Sequence, residues 1–121
     1  MNPDTIVRDF CAAWGRGDTE AILEAFTDDA VYHNIPMEPC NGKAAIREFL
    51  SGFLGVVASA IDFDIRHQLT SGNVVMNERI DTIKMEAGDI ALPVCGIFEV
   101  TPDGKISAWR DYFDMGQFAG Q

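Results

Sequence analysis

Basic residues are scarce in this chain. Its 121 residues carry 9 lysines and arginines against 19 aspartates and glutamates, a formal net charge of −10. Nucleic acids and anionic membranes select for clustered Lys and Arg, so neither is expected as a main partner. Cysteines number three, Cys11, Cys40 and Cys95, with no C-x-x-C pair. An odd count without a framework reads as free thiols in a reducing cytosol, so a cytoplasmic protein is expected. No stretch approaches the roughly 20 apolar residues of a membrane span. The start, MNPDTIVRDF, shows no basic segment followed by an apolar run, so no signal peptide is read there. The two histidines, His33 and His67, form no H-x-H or H-x-x-x-H pair, and no glycine-rich phosphate loop is present. Neither a metal nor an organic cofactor is therefore expected.

What is there reads as an ordered globular chain, 47% hydrophobic and 23% charged, of a length that suggests one domain over residues 1–121. Ile6, Val7, Phe10, Ala13 and Trp14 recur at helical spacing, with Asn2 or Asp4 as cap and Gly15 and Gly17 as the stop. Asp18 then caps a second helix over DTEAILEAF, which also accounts for the Arg16-Gly17-Asp18 tripeptide without an adhesion role. AVYHNIP reads as a short strand closed by Pro36, and NGKAAIREFLSGFLG as a third helix. Four long β-type runs follow, Ile61–Thr70, Asn73–Met85, Ile90–Thr101 and Lys105–Phe113, joined by turn-forming segments. Helices first and an antiparallel meander after them predict an α+β fold, one curved sheet wrapped against about three N-terminal helices. Such a sheet forms a cone with a deep interior, suited to a ligand.

Three strands carry polar groups where core residues belong. Side chains two apart on a strand share a face. Tyr32 and Asn34 therefore point together, as do Arg79 and Asp81, as do Trp109, Asp111 and Phe113. The Asp111 face is the more apolar of its strand and is expected to be the inner one. A buried carboxylate without a partner takes up a proton. Arg79, with a planar fork of donors, is the natural partner and can span two carboxylates. Leu69, Val75, Ile83, Leu92, Val94 and Ile97, with Trp109 and Phe113, are the candidate pocket lining. His33 is expected to face away from the pocket, and Glu38, Asp62 and Asp64 to face solvent. Taken singly, each polar pair also fits a solvated ion pair or ordinary strand-end residues.

Taken in order, YHN, RID and WRDYFD resemble the Y-x-N, R-x-D and W-R-D-Y-F-D segments of the limonene-1,2-epoxide hydrolase family. The resemblance runs from Trp14 to Phe113. It implies a cone similar to nuclear transport factor 2 and ketosteroid isomerase, and a homodimer formed through the outer sheet face. It also implies roles: Asp111 as general base, Tyr32 and Asn34 holding the attacking water, Asp81 as proton donor, Arg79 bridging both carboxylates. The expected reaction is cofactor-independent opening of a small apolar epoxide, cyclic or terpene-like, to a vicinal diol. Two other readings of the same residues stand beside it. One is a polyketide-cyclase or ketosteroid-isomerase type of enzyme, which needs no second carboxyl bridged by arginine. The other is a non-catalytic small-molecule-binding domain.

Overall fold

The computed structural model describes residues 2–119. Helix α1 (Pro3–Gly15) begins with proline in its first turn, and the Asn2 side chain accepts from the Asp4 N–H at 2.9 Å. A proline there loses no helical hydrogen bond. Gly17, at φ 64°, makes the turn into α2 (Thr19–Glu24), and a side chain there would also strike the Ser59 carbonyl. Asp18 caps α2 through the Ala21 N–H. The second helix is shorter than its sequence suggests: Phe26 already opens strand β1 (Phe26–Asn34). A two-residue strand β2 (Cys40–Asn41) follows, then α3 (Lys43–Phe53). The meander β3 (Ala60–Ser71), β4 (Val74–Lys84), β5 (Ile90–Val100) and β6 (Ile106–Tyr112) is as the sequence predicts. A short helix α4 (Met115–Ala119), which the sequence reading lacks, comes last.

The six strands form one sheet in the order β2-β1-β6-β5-β4-β3. Only β1 and β6 run parallel; the other neighbours are antiparallel. Pro93 sits inside β5 without breaking it. It pairs with Ile80 on β4, whereas β6 pairs with β5 only from Cys95 onward, so the edge beside Pro93 requires no N–H. The concave face is filled by aromatics from several elements. Trp109 of β6 meets Phe10 of α1 edge-on at 5.0 Å and stacks on Phe98 of β5 at 5.3 Å between ring centroids. Edge-on and offset contacts of this kind are the favoured aromatic geometries. Among the described residues, no helix is long and apolar enough to cross a membrane.

A bulge in β3 decides which of its residues face inward. Ile65 pairs with Arg79 and His67 with Glu78, so Arg66 is an extra residue and the alternation reverses after it. Before the bulge Ile61, Phe63 and Ile65 face in; after it Gln68 does. Leu69 is thereby turned out of the cone and is 73% exposed, which removes it from the pocket lining. Ile97 also faces outward, because β5 keeps strict alternation and Leu92, Val94, Gly96 and Phe98 take its inner face.

Candidate active site

The inner polar residues lie in one register row across five strands. Gln68 pairs with Asn77, Asn77 with Gly96, Gly96 with Asp111, and Asp111 with Asn34. Residues facing each other in a ladder share a side of the sheet, so this row forms a polar band on the concave face. Arg79 and Asp81 extend it along β4, and Tyr32 extends it along β1. The five residues expected from the sequence are therefore brought together on one wall.

Arg79 is fully buried, and Asp81 and Asp111 are nearly so. Its guanidinium binds Asp81 side-on, Nε to Oδ1 at 2.9 Å and Nη2 to Oδ2 at 2.8 Å. The same group reaches Asp111, Nη2 to Oδ2 at 2.9 Å and Nη1 to Oδ1 at 3.3 Å. Phe63 lies against its face, 4.4 Å from guanidinium carbon to ring centre, a cation–π contact to a guanidinium shielded from solvent. Glycine at position 96 makes this possible. A Cβ there would lie 2.7 Å from Asp111 Oδ1 and would collide with Arg79 Nη1.

Three charges in this small volume split the carboxyls from ordinary aspartates. Burial pushes Asp81 up to about 6, against the pull of its hydrogen bonds and charge pairing with Arg79, and the Asp111 charge adds to the rise. Burial also raises Asp111, opposed by Arg79 and by a 2.6 Å hydrogen bond from the Trp109 indole N–H. Burial lowers Arg79, but the two carboxylates more than reverse this and hold it charged. Burial raises the Tyr32 hydroxyl well above its usual range, so it stays protonated. That hydroxyl donates to Asn34 Oδ1 at 3.3 Å.

Tyr32, Asn34, Asp81 and Asp111 border a cavity of about 330 Å³ whose remaining surface is almost all apolar. Ile83, Leu92, Val94 and Phe113 line it as the sequence suggests. Besides Leu69 and Ile97, two more expected lining residues do not. Val75 lies beyond Asn77, packed into the core opposite Phe98. Trp109 is fully buried because the Tyr32 ring, which does line the cavity, stacks on it at 4.3 Å. The helical and pre-bulge walls escaped the sequence reading. They are Trp14 of α1, Phe49 and Phe53 of α3, and Ile61 and Phe63 of β3. Their helical or alternating apolar spacing marks them as buried and carries no sign of which cavity they border. His33 bonds back to the Met37 carbonyl at 2.9 Å and is not part of the wall. Among the described residues no group of three or more His, Cys, Asp or Glu side chains is placed to hold a metal ion.

Residues 1–120 match the family model described as the limonene-1,2-epoxide hydrolase catalytic domain. The chain belongs to the limonene-1,2-epoxide hydrolase family. It is similar to an epoxide hydrolase of Mycobacterium tuberculosis, EphG, with 32% identity over 111 residues, 90% of this chain and 71% of that protein. The solved structure of an LEH-like epoxide hydrolase from M. tuberculosis superposes with a TM-score of 0.84 at 32% identity, over 96% of this chain and 86% of that one. A SnoaL-like polyketide cyclase structure from Shewanella putrefaciens reaches a TM-score of 0.86 at 16% identity, over 100% and 96% of the two chains. At that identity the likeness is one of fold, and the curved α+β cone is common to both.

The crowding at Gly96 yields a test of this geometry. Gly96→Ala is expected to cost about 1–3 kcal/mol, the scale of overpacking a filled interior. Urea unfolding would measure the loss, and a crystal structure of the variant would show Arg79 displaced from Asp111. A change below about 0.5 kcal/mol, the range of neutral surface substitutions, would mean that the network has room to spare.

Proposed function

We propose that this protein hydrolyses a small apolar epoxide to a vicinal diol in one step, within a single domain spanning the chain. The observation that carries the reading is Arg79 bridging two buried carboxyls of unequal surroundings on the wall of an apolar cavity. Opening an epoxide needs a base for the water and an acid for the leaving oxygen. Two carboxyls, one ionised and one protonated, supply both when their environments separate them. Asp111, with two donors on its Oδ1, is the ionised partner, and Asp81 the protonated one. A water held by Tyr32, Asn34 and Asp111 loses a proton to Asp111 as its oxygen bonds to an epoxide carbon. The carbon–oxygen bond breaks, and Asp81 gives its proton to the released oxygen. The carboxyls have then exchanged protonation states, and a proton passes through solvent from Asp111 to Asp81 before the next turnover. Positioning the water removes much of the entropic cost of bringing three groups together.

A cyclase or isomerase on the same cone needs one carboxylate and leaves the Arg79–Asp81 pair without a purpose, so hydrolysis is the better supported reading. The resemblance to limonene-1,2-epoxide hydrolases and the cavity's size and apolar lining support a cyclic or terpene-like substrate.

The proposal includes a homodimer through the outer sheet face. Leu69, Met76 and Ile97 lie there in one register row, with Leu69 and Met76 exposed. Sedimentation velocity is expected to give twice the chain mass; a monomer at micromolar concentration would remove this part.

The pH dependence follows from Asp81. A proton donor is active while protonated, and Asp81 loses its proton as pH rises through about 6. kcat/KM is expected to fall roughly tenfold per pH unit above that point. A flat profile between about pH 6 and 9 would exclude an acid that titrates near 6. Oxygen-18 water decides the route. With enzyme in excess over epoxide, direct attack labels the diol in the first turnover and leaves the protein unlabelled. A covalent route through an aspartate gives an unlabelled diol first and a mass shift on the Asp111 or Asp81 peptide.

A further inference from the structure

The guanidinium of Arg79 has five N–H donors. Four are taken by the carboxylates. The fifth, on Nη1, donates to Oδ1 of Asn77 at 2.8 Å, a shorter contact than the 3.3 Å from the same nitrogen to Asp111. Behind Asn77 the chain of hydrogen bonds continues. Asn77 Nδ2 donates to Gln68 Oε1 at 3.0 Å, and Gln68 Nε2 donates to Asp4 Oδ1 at 2.7 Å and to the Asp4 carbonyl at 3.1 Å. Asn77 is buried yet lines no part of the cavity; Gln68 is half-buried near the end of β3, turned inward by the bulge at Arg66.

The ends of this chain dictate its direction. A carboxylate only accepts and a guanidinium only donates. Asp4 therefore draws the NH₂ of Gln68, which leaves the Gln68 oxygen for the NH₂ of Asn77, which leaves the Asn77 oxygen for Arg79. Either amide, if turned over, would set donor against donor or acceptor against acceptor.

We infer that Gln68 and Asn77 are positioning residues for Arg79: Gln68, anchored on the first turn of α1, orients the Asn77 amide, and Asn77 keeps Nη1 from closing onto Asp111, so that the guanidinium stays shared between the two carboxyls. Without Asn77, Nη1 has Asp111 as its remaining partner. A tighter pair favours the ionised carboxylate and makes it a weaker base. The titratable groups around Arg79 are Asp81 from its own strand, Asp111 from β6, Cys11 from α1 and Tyr32 from β1. Burial keeps the last two protonated, with Cys11 pushed up to about 12. The change therefore falls on the two carboxyls.

The kinetic part of this inference rests on the epoxide-hydrolase reading; the titration part does not. Asn77→Leu is expected to lower kcat by roughly tenfold, the scale of one net hydrogen bond, with KM within about twofold. Its acidic limb of kcat/KM should move to lower pH by about half a unit or more. Gln68→Leu should act in the same sense to a smaller extent, and it carries the test if Asn77→Leu does not fold. In protein carrying carbon-13 aspartate, the Asp111 carboxyl, assigned by its loss in Asp111→Asn, should titrate lower in both leucine variants than in wild type. Folded leucine variants with unchanged Asp111 titration would overturn the inference. A wild-type protein that opens no epoxide would defeat the functional reading alone, since the titration would still decide the positioning.

Discussion

Arg79 has no access to water, and the protein around it is arranged to make that tolerable. A lone buried ion costs several kcal/mol even after relaxation, and attraction to a partner repays this only when geometry and the remaining hydrogen bonds are right. Here the single positive charge faces two carboxylates. Charge balance with both ionised would leave one excess negative charge in an apolar interior. Retaining one proton removes it. Burial thus raises both carboxyls and favours keeping one proton between them, and that shared proton is what the proposed acid and base require.

The sheet meets the geometric side of this requirement through register. Gln68, Asn77, Gly96, Asp111 and Asn34 come from five different strands, and ladder pairing alone sets them in one row. The missing side chain at Gly96 leaves space in that row for the guanidinium. Aromatic rings close the rest of the surroundings: Phe63 covers the guanidinium, and Trp109 both fills the core and donates to Asp111. Support from packed neighbours is what holds a reactive constellation within a fraction of an ångström of its working geometry.

The cone itself is neutral about chemistry. Its shape is shared with a polyketide-cyclase-like protein at 16% identity, and a fold common to hydrolases and cyclases cannot name the reaction. What separates the possibilities is the second carboxyl and the arginine that bridges it, set in a cavity whose other walls offer apolar surface. In such a cavity polar groups on one wall orient the ligand, and the apolar walls exclude water and select by shape.

Much of this was legible along the chain. The alternation in VMNERIDTIK put Arg79 and Asp81 on one strand face, AWRDYFD put Asp111 between aromatics, and the apolar spacing of Ile6 to Trp14 marked α1. Local periodicity determines these, because side-chain direction in a strand or helix depends only on near neighbours. The turn from α2 into β1 at Phe26, the inward turn of Gln68, the exposure of Leu69 and the burial of Trp109 behind Tyr32 were decided elsewhere. Each depends on a partner distant in sequence: the β6 ladder for Phe26, the β4 ladder against the bulge at Arg66, the β1 ring that stacks on β6. So does the role of Asn77, an ordinary residue in sequence. It matters because folding sets its amide between a donor-only arginine and a glutamine tied to α1, a juxtaposition that only the closed sheet brings about.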